Sequence, residues 1–142
     1  MSFPIAYVKG SNARASKFFQ VFEFDCPCVE CDTTKIDPES LKLLDLMRAI
    51  LGVPLTVNRG GGYRCDFYQQ NLTARGYETA KGISTHQLGM GFDVSAKGKT
   101  GSELEGAARK AGFRAVGRAL TWVHVDGRRD RDRAWLYTKR QA

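Results

Sequence analysis

The sequence predicts an α+β fold in which an antiparallel sheet is flanked by helices. The first observation is length, because 142 residues suffice for one hydrophobic core and are too few for two ordinary domains. The second is order, since helical patterns dominate the first half of the chain and strand patterns the second. The third is continuity: no repeat, low-complexity tract or linker divides the chain. We therefore expect a single domain over residues 1–142.

The first half of the chain begins with a region of little periodicity. Residues 1–35 predict an irregular N-terminal region with a cysteine loop and a short helix near Ala15 to Val21. The next helix is well marked over residues 38–51, where apolar side chains recur at helical spacing. Asp37 is a suitable N-cap for it and Gly52 a suitable stop. This helix is expected to form part of the core.

The remaining elements are shorter and lie around a glycine-rich loop. Leu55 to Val57 predicts a strand that leads into this loop, residues 58–64, whose three consecutive glycines permit close approach by a ligand. Further elements are predicted as a helix capped by Asp66 and running to about Ala74, a strand at Gly91 to Ser95, a helix opened by a Ser102–Glu105 capping box and stopped at Gly112, and strands near Phe113 to Val116, Leu120 to Val125 and Ala134 to Thr138.

Composition favours a soluble globular protein, with 42% hydrophobic and 26% charged residues. The 22 Lys and Arg against 15 Asp and Glu give a net charge of +7, which attracts polyanions such as acidic cell-wall polymers. No nucleic-acid-binding motif is recognised, and Arg128 to Arg133 alternates with aspartates as a solvated loop does. No apolar run could span a membrane, and the N-terminus does not resemble a signal peptide. We expect a monomer, made in the cytoplasm and acting elsewhere after release or within a larger particle.

The cysteines are clustered in the sequence. Cys26, Cys28 and Cys31 form a C-x-C-x-x-C pattern, and Cys65 follows the glycine-rich loop. Clustered thiolates in a reducing compartment often hold a metal, and Cys65 would complete a four-thiolate zinc site if the fold brings it near. The alternative is that these residues are small buried apolar side chains without a metal. The sequence leaves both interpretations open.

The chain contains only two histidines, and both have acidic neighbours. His86 precedes Asp93 by seven positions, and His124 precedes Asp126 by two. Alternation along a strand puts Trp122, His124 and Asp126 on one face. Two neutral imidazoles and one carboxylate can fill three zinc positions and leave a fourth open for water, which is the arrangement of catalytic zinc.

These motifs resemble a known family. The pattern S-x-H-x-x-G-x-x-x-D from Ser84 to Asp93, followed by W-x-H at Trp122, is similar to the zinc D-Ala-D-Ala carboxypeptidase and L-alanyl-D-glutamate endopeptidase family. These LAS-type metallopeptidases share the fold of the hedgehog signalling domain. The resemblance spans about Phe24 to Asp126 and implies this fold, with His86, Asp93 and His124 as zinc ligands.

The resemblance also implies substrate-contacting residues around the metal. Arg64, in a Gly-Tyr-Arg sequence, corresponds to an arginine that steadies the substrate or the oxyanion. The substrate site is expected to include Tyr63, Ser84 and Trp122. Ser84 is also expected to form a hydrogen bond that supports the metal ligands.

One departure from the family concerns proton transfer. Many members carry an acidic general base three residues before the second histidine, where this chain has Thr121. Asp126 is then the best candidate for the catalytic acid or base. Other interpretations of Asp126 are a hairpin turn with Gly127, a ligand-orienting role or an ion pair with Arg128.

The resemblance predicts a zinc-dependent peptidase that cleaves peptidoglycan stem peptides, as a phage endolysin or virion-associated lysin does. Whether it would act as a carboxypeptidase or an endopeptidase stays open. The alternative is a non-catalytic, zinc-stabilised domain that binds cell wall or a virion partner, which Thr121 favours. A third interpretation is a small basic zinc module that uses the cysteines to bind nucleic acid.

Overall fold

The computed structural model describes residues 3–77 and 79–138. Within them, an α+β arrangement of helices and strands confirms the predicted fold class. The helices are α1 (Pro38–Leu51), α2 (Asp66–Ala74) and α3 (Gly101–Ala111), with a 3-10 turn at Val21–Phe24. The strands are β1 (Ile5–Val8), β2 (Thr33–Ile36), β3 (Thr56–Val57), β4 (Gly91–Ser95), β5 (Ala115–Arg118), β6 (Val123–Asp126) and β7 (Arg133–Leu136).

The main sheet has the strand order β3-β4-β6-β5-β7. Its first three strand pairs are antiparallel, as expected, whereas β5 and β7 run parallel. Because β7 pairs with β5 and not with β6, the chain forms no hairpin after Asp126. The turn interpretation of Asp126 and Gly127 therefore does not describe this segment.

The core lies between the helices and one face of this sheet. Helix α3 packs against α1 and against strands β5 and β6. Phe92 and Val94 of β4, and Val123 and Val125 of β6, are fully or almost fully buried in this core. Since side chains alternate along a strand, Asp93 and His124 point to the opposite face. The sheet thus separates the hydrophobic core from a second, polar side.

Helix α1 begins and ends as predicted. The Asp37 carboxylate accepts a hydrogen bond from the Ser40 backbone N–H, and Gly52 ends the helix in the left-handed conformation at φ 70°. Met47 is completely buried and fills the core. This helix therefore forms the scaffold that the apolar spacing indicated.

The caps of the other two helices differ from the prediction. The capping box of α3 is Thr100 with Glu103, so the helix begins before Ser102. The N-cap of α2 is Cys65, whose sulfur accepts a hydrogen bond from the Tyr68 N–H, and Asp66 is the first helical residue. In both cases the earlier residue has the extended conformation that an N-cap requires.

The N-terminal region also differs from the prediction, because it has no α-helix near Ala15 to Val21. An isolated bridge joins Arg14 to Gln20, and the 3-10 turn follows. Phe24 packs edge-on against Phe19 and against Phe92 of the core, with ring centroids 5.6 and 5.5 Å apart. The contact of Phe24 with Phe92, which is distant in sequence, outweighs the weak local helical preference.

Strands β1 and β2 form a separate two-stranded antiparallel sheet that the sequence did not predict. Its partners are distant in sequence, as the pairing of Ile5 with Ile36 shows, and β1 is mostly exposed. No helix within the described ranges is long and apolar enough to cross a membrane.

Candidate metal centre and substrate cavity

Three side chains converge on the polar side of the sheet. Asp93 of β4 and His124 of β6 are direct cross-strand neighbours, and His86 reaches them from the loop before β4. One ligand atom from each of the three lies within 4.8 Å of the others, and all three residues are buried. The structure therefore brings together the three residues predicted as metal ligands.

The spacing of their atoms fits a tetrahedral metal ion. Asp93 Oδ1 lies 3.3 Å from His86 Nε2 and 2.9 Å from His124 Nδ1. Zinc bonds to nitrogen and oxygen of about 2.0–2.2 Å put neighbouring ligand atoms of a tetrahedron about 3.3 Å apart. Small displacements of these side chains would suffice to admit the ion.

The far nitrogen of each histidine donates to a fixed acceptor. His86 Nδ1 lies 2.9 Å from the carbonyl oxygen of Gly62, and His124 Nε2 lies 2.8 Å from Asp126 Oδ2. These acceptors require a proton on the far nitrogen, which leaves the nitrogens facing Asp93 able to carry the lone pairs that a metal needs. Binding of zinc would displace a proton from His124 Nδ1, and both histidines would then offer the ion a lone pair from the nitrogen that faces Asp93.

Asp126 lies behind His124, away from the cavity described below. It is fully buried, and its carboxylate accepts three hydrogen bonds from Arg128: the backbone N–H at 3.0 Å, Nε at 2.9 Å and a terminal nitrogen at 2.8 Å. This arrangement matches the ion-pair interpretation of Asp126. A carboxylate that is buried and bonded on both oxygens is poorly placed to exchange protons with a substrate.

The charges of the centre follow from burial and from these contacts. Burial lowers the pKa of His86 and keeps its ring neutral. Burial also lowers the pKa of His124, but hydrogen bonds to Asp126 and Asp93 outweigh it and raise the pKa to about 9. Burial raises the pKa of Asp126, yet the bonds from His124 and Arg128 lower it to about 2. For Asp93, burial is likewise outweighed by the two histidines, so its pKa is well below the ordinary value.

Arg64 anchors the second oxygen of Asp93. One terminal nitrogen of Arg64 lies 3.1 Å from Asp93 Oδ2, while Nε donates to the Gly60 carbonyl at 2.6 Å and the other terminal nitrogen to Gln69 at 3.3 Å. Asp93 Oδ1 is thereby left to face the histidines. Arg64 also borders the cavity described below, and the role in steadying the substrate or oxyanion that the family resemblance implies for it stays a prediction.

The consecutive glycines before Arg64 allow other parts of the protein, and not a ligand, to pack closely against the loop. A Cβ atom on Gly61 would lie 2.8 Å from the Cβ of Asp93, and one on Gly62 would lie 2.6 Å from the Cα of Phe24. The backbone N–H of Asp93 donates to the Gly61 carbonyl at 2.8 Å. These glycines therefore let the loop pack directly against strand β4, which carries Asp93.

A cavity of about 440 Å³ opens beside the three converging residues. Ser84 and Trp122, two of the residues expected at the substrate site, border it, and the Ser84 hydroxyl accepts a hydrogen bond from the His86 N–H at 3.2 Å. Tyr63 does not border it. That side chain is buried near the cysteines, where burial and the charge of Cys65 raise the pKa of its hydroxyl to about 12.

Sequence reasoning missed the aromatic wall formed by one residue of β7 and the residue that directly follows this strand. Trp135 and Tyr137 both border the cavity: the Trp135 ring lies 5.5 Å from that of His124, and Tyr137 stacks on Trp122 at 4.8 Å. Their spacing of two along a strand put them on one face, which was a signal available in the sequence. Among the described residues that border the cavity, Asp93 is the only carboxylate; Thr121 is exposed and does not border it.

A second group of possible metal ligands lies outside the cavity. It comprises Cys26, Cys28, Cys31 and Cys65, whose sulfur atoms all lie within 4.8 Å of one another. Cys65, which is distant in sequence, is thus brought to the other three, as the metal interpretation required.

Comparison with known proteins gives one family. A family model described as Peptidase M15 matches residues 17–126, a range that includes both groups of possible metal ligands. Neither the curated proteins nor the solved structures contain a significant match to this chain.

Proposed function

Because the chain belongs to the peptidase M15 family of zinc metallopeptidases, we propose that it cleaves the stem peptides of bacterial peptidoglycan. The observation that carries the proposal is the convergence of His86, Asp93 and His124 at the wall of a cavity large enough for part of a peptide. In this proposal the protein is an endolysin-like cell-wall hydrolase, which reaches the wall after release or as part of a virion.

The charge around the cavity supports an acidic peptide substrate. Arg64, Lys81 and Arg128 border the cavity, and the whole chain carries a net charge of +7. Stem peptides of peptidoglycan carry free carboxylates within an anionic wall, so they would be attracted to this surface. Trp122 and Trp135 add apolar walls that would bury the short side chains of such a peptide.

The three converging residues would hold zinc, which supplies Lewis acidity that acidifies a water molecule and polarises the scissile carbonyl. Arg64 keeps the Asp93 carboxylate oriented through its bond to Oδ2. Tyr137 stacks on Trp122 beside the centre, and burial raises the pKa of its hydroxyl well above the ordinary value. We assign this protonated hydroxyl to hydrogen-bond the oxygen on which negative charge develops.

We assign Asp126 to positioning and not to proton transfer. It holds the far nitrogen of His124 and is itself held by Arg128. Such carboxylate–histidine pairs fix the ring and raise its basicity toward a metal. Arg128 would then link the substrate cavity to the orientation of His124. Its side chain borders the cavity and also binds Asp126, the carboxylate that holds the His124 ring.

One observation favours the non-catalytic alternative. Asp93 is the only carboxylate among the described residues that border the cavity, and it would be occupied by zinc. A chain without a separate general base could use the same centre to stabilise a domain that binds the wall or a virion partner. This alternative predicts zinc binding and wall binding without release of peptide fragments.

The test is digestion of purified peptidoglycan with the zinc-loaded protein, with and without a chelator. We expect the chelator and His86→Ala to abolish fragment release. The control Lys97→Ala, at an exposed residue that does not border the cavity, should leave fragment release intact. Mass spectrometry of the products identifies the bond: free D-alanine indicates a carboxypeptidase, and new amino groups within the stem indicate an endopeptidase. Zinc-bound protein that releases nothing would reject the enzyme.

A further inference from the structure

We propose that the cysteine cluster is a second, closed zinc site with a structural role. The cluster consists of Cys26, Cys28, Cys31 and Cys65. Unlike the three-ligand centre, it offers four thiolate donors and leaves no coordination position for water or substrate, which is the mark of structural zinc.

The distances between the sulfur atoms support four-fold coordination. Cys26 Sγ lies 3.7 Å from Cys65 Sγ, and Cys28 Sγ lies 3.5 Å from Cys65 Sγ and 3.3 Å from Cys31 Sγ. A zinc ion with Zn–S bonds of about 2.3 Å keeps the four sulfurs of a tetrahedron about 3.8 Å apart. The cluster is therefore close to the size that a zinc ion requires.

The surroundings of the cluster supply positive charge and N–H donors. The Lys9 ammonium lies 3.4 Å from Cys31 Sγ and also contacts the backbone carbonyls of Cys28 and Cys31. The backbone N–H of Tyr68, at the start of helix α2, donates to Cys65 Sγ at 3.4 Å. Four thiolates around one divalent ion carry a net negative charge, which a lysine and a helix N-terminus both stabilise.

The two other uses of clustered cysteines fit the structure less well. As apolar core residues they would be buried, but only Cys26 is; the other three are partly exposed. As disulfides they would pair two by two, whereas Cys28 Sγ is almost equally close to the sulfurs of Cys31 and Cys65. A shared central ion explains why three cysteines of one short segment and a fourth from 34 residues beyond Cys31 converge on one point.

The site would fix the glycine loop, residues 58–64, in place. Cys65 directly follows this loop and lies 39 positions from Cys26 in the sequence. The carbonyl of Phe24, two residues before Cys26, accepts a hydrogen bond from the Tyr63 N–H at 2.9 Å. Since the loop carries Arg64 and the Gly62 carbonyl that binds His86, the cysteine zinc would hold the supports of the catalytic centre from outside.

The experiment counts metal in the full chain, purified under reducing conditions with zinc, by elemental analysis. We expect two zinc ions per wild-type chain, one in His86→Ala, one in the double variant Cys28→Ser with Cys65→Ser, and none when all three changes are combined. Fragment release is not needed for this readout. If the protein binds two zinc ions but cleaves no peptidoglycan, the proposal of a cysteine zinc site is supported and the proposed peptidase activity is rejected.

A spectroscopic measurement keeps the test independent of whether the cysteine variant folds. Cobalt-loaded wild type and His86→Ala should both show an intense thiolate-to-cobalt charge-transfer absorption, and thiol reagents should reach the cysteines only after the metal is removed. The proposal is overturned by a single zinc ion in wild type that is lost in His86→Ala, by absence of the charge-transfer band, by iron in place of zinc, or by thiol titration that shows disulfides.

Discussion

Asp126→Asn separates positioning from proton transfer, because the two roles predict different measured quantities. The change keeps the size of the side chain but replaces one accepting oxygen by an NH2 group. In the structure Oδ2 accepts from His124 and Arg128, and Oδ1 accepts from Arg128 alone. Whichever way the amide turns, one donor must face another inside a fully buried site.

The cost of this conflict should fall on His124. Arg128 is partly exposed and can turn its guanidinium toward solvent, whereas the His124 ring is buried between Asp93 and Asp126. Loss of a carboxylate that orients a metal-binding histidine typically lowers metal affinity about 10- to 100-fold. This corresponds to about 1.4–2.8 kcal/mol of zinc-binding free energy.

Competition with a chromophoric chelator measures the zinc affinity, and peptide release at saturating zinc measures kcat. Positioning predicts weaker zinc binding and recovery of most activity when zinc is added in excess. The matched control is Asp132→Asn, the same change on a carboxylate that is 81% exposed and paired with Arg114, and it should alter neither quantity. Unchanged zinc affinity with a loss of about 10²–10⁴-fold in kcat at saturating zinc would refute the assignment, since that pattern belongs to a general acid or base.

Three further predictions concern the same centre. The contacts that raise the pKa of His124 from 6.5 to about 9 stabilise the metal-free fold, and their contribution is complete below pH 6.5. Urea unfolding of chelator-treated protein should therefore show a falling free energy of unfolding as the pH rises from 6.5 to 9. A rise in this free energy over the same range would contradict the prediction. Gly117→Ala puts a Cβ 2.3 Å from the Trp135 ring and should lower the free energy of unfolding in urea by about 1–3 kcal/mol. The control Gly106→Ala, in an open position of α3, should leave this free energy unchanged or raise it. Equal effects of the two substitutions would refute the prediction. Tyr137→Phe should lower kcat about 10²-fold at unchanged zinc content, and an unchanged kcat would remove its hydroxyl from the mechanism.

The parts of the fold that local patterns determine were predictable. Helix α1 carries its N-cap, its apolar stripe and its stop within one continuous segment, so Asp37 and Gly52 marked its ends correctly. Strand β4 was placed with its bounds because Phe92 and Val94 alternate with Asp93. The convergence of His86, Asp93 and His124 was predictable for a related reason: their spacing resembled a family motif, and only the cross-strand pairing was needed to bring Asp93 beside His124.

What the sequence did not predict depends on contacts between distant segments. The pairing of β1 with β2 and the parallel pairing of β7 with β5 leave no local periodic signal. The role of the glycine loop was misjudged for the same reason, since the neighbours that require Gly61 and Gly62 are Asp93 and Phe24, far away in the chain. The burial of Asp126 behind His124 likewise followed only from the assembled sheet.

Strand β7 lies after residue 126, where the match to the peptidase M15 family ends. The proposed metal ligands all fall inside the matched range, but Trp135 and Tyr137 fall outside it. In the proposed function, the residues that hold the metal and the aromatic residues that border the substrate therefore lie in separate stretches of the chain. Exchanging residues 133–138, which leaves Arg128 and its bonds to Asp126 in place, for the corresponding segment of another family member should change which peptide is accepted while the zinc affinity stays the same.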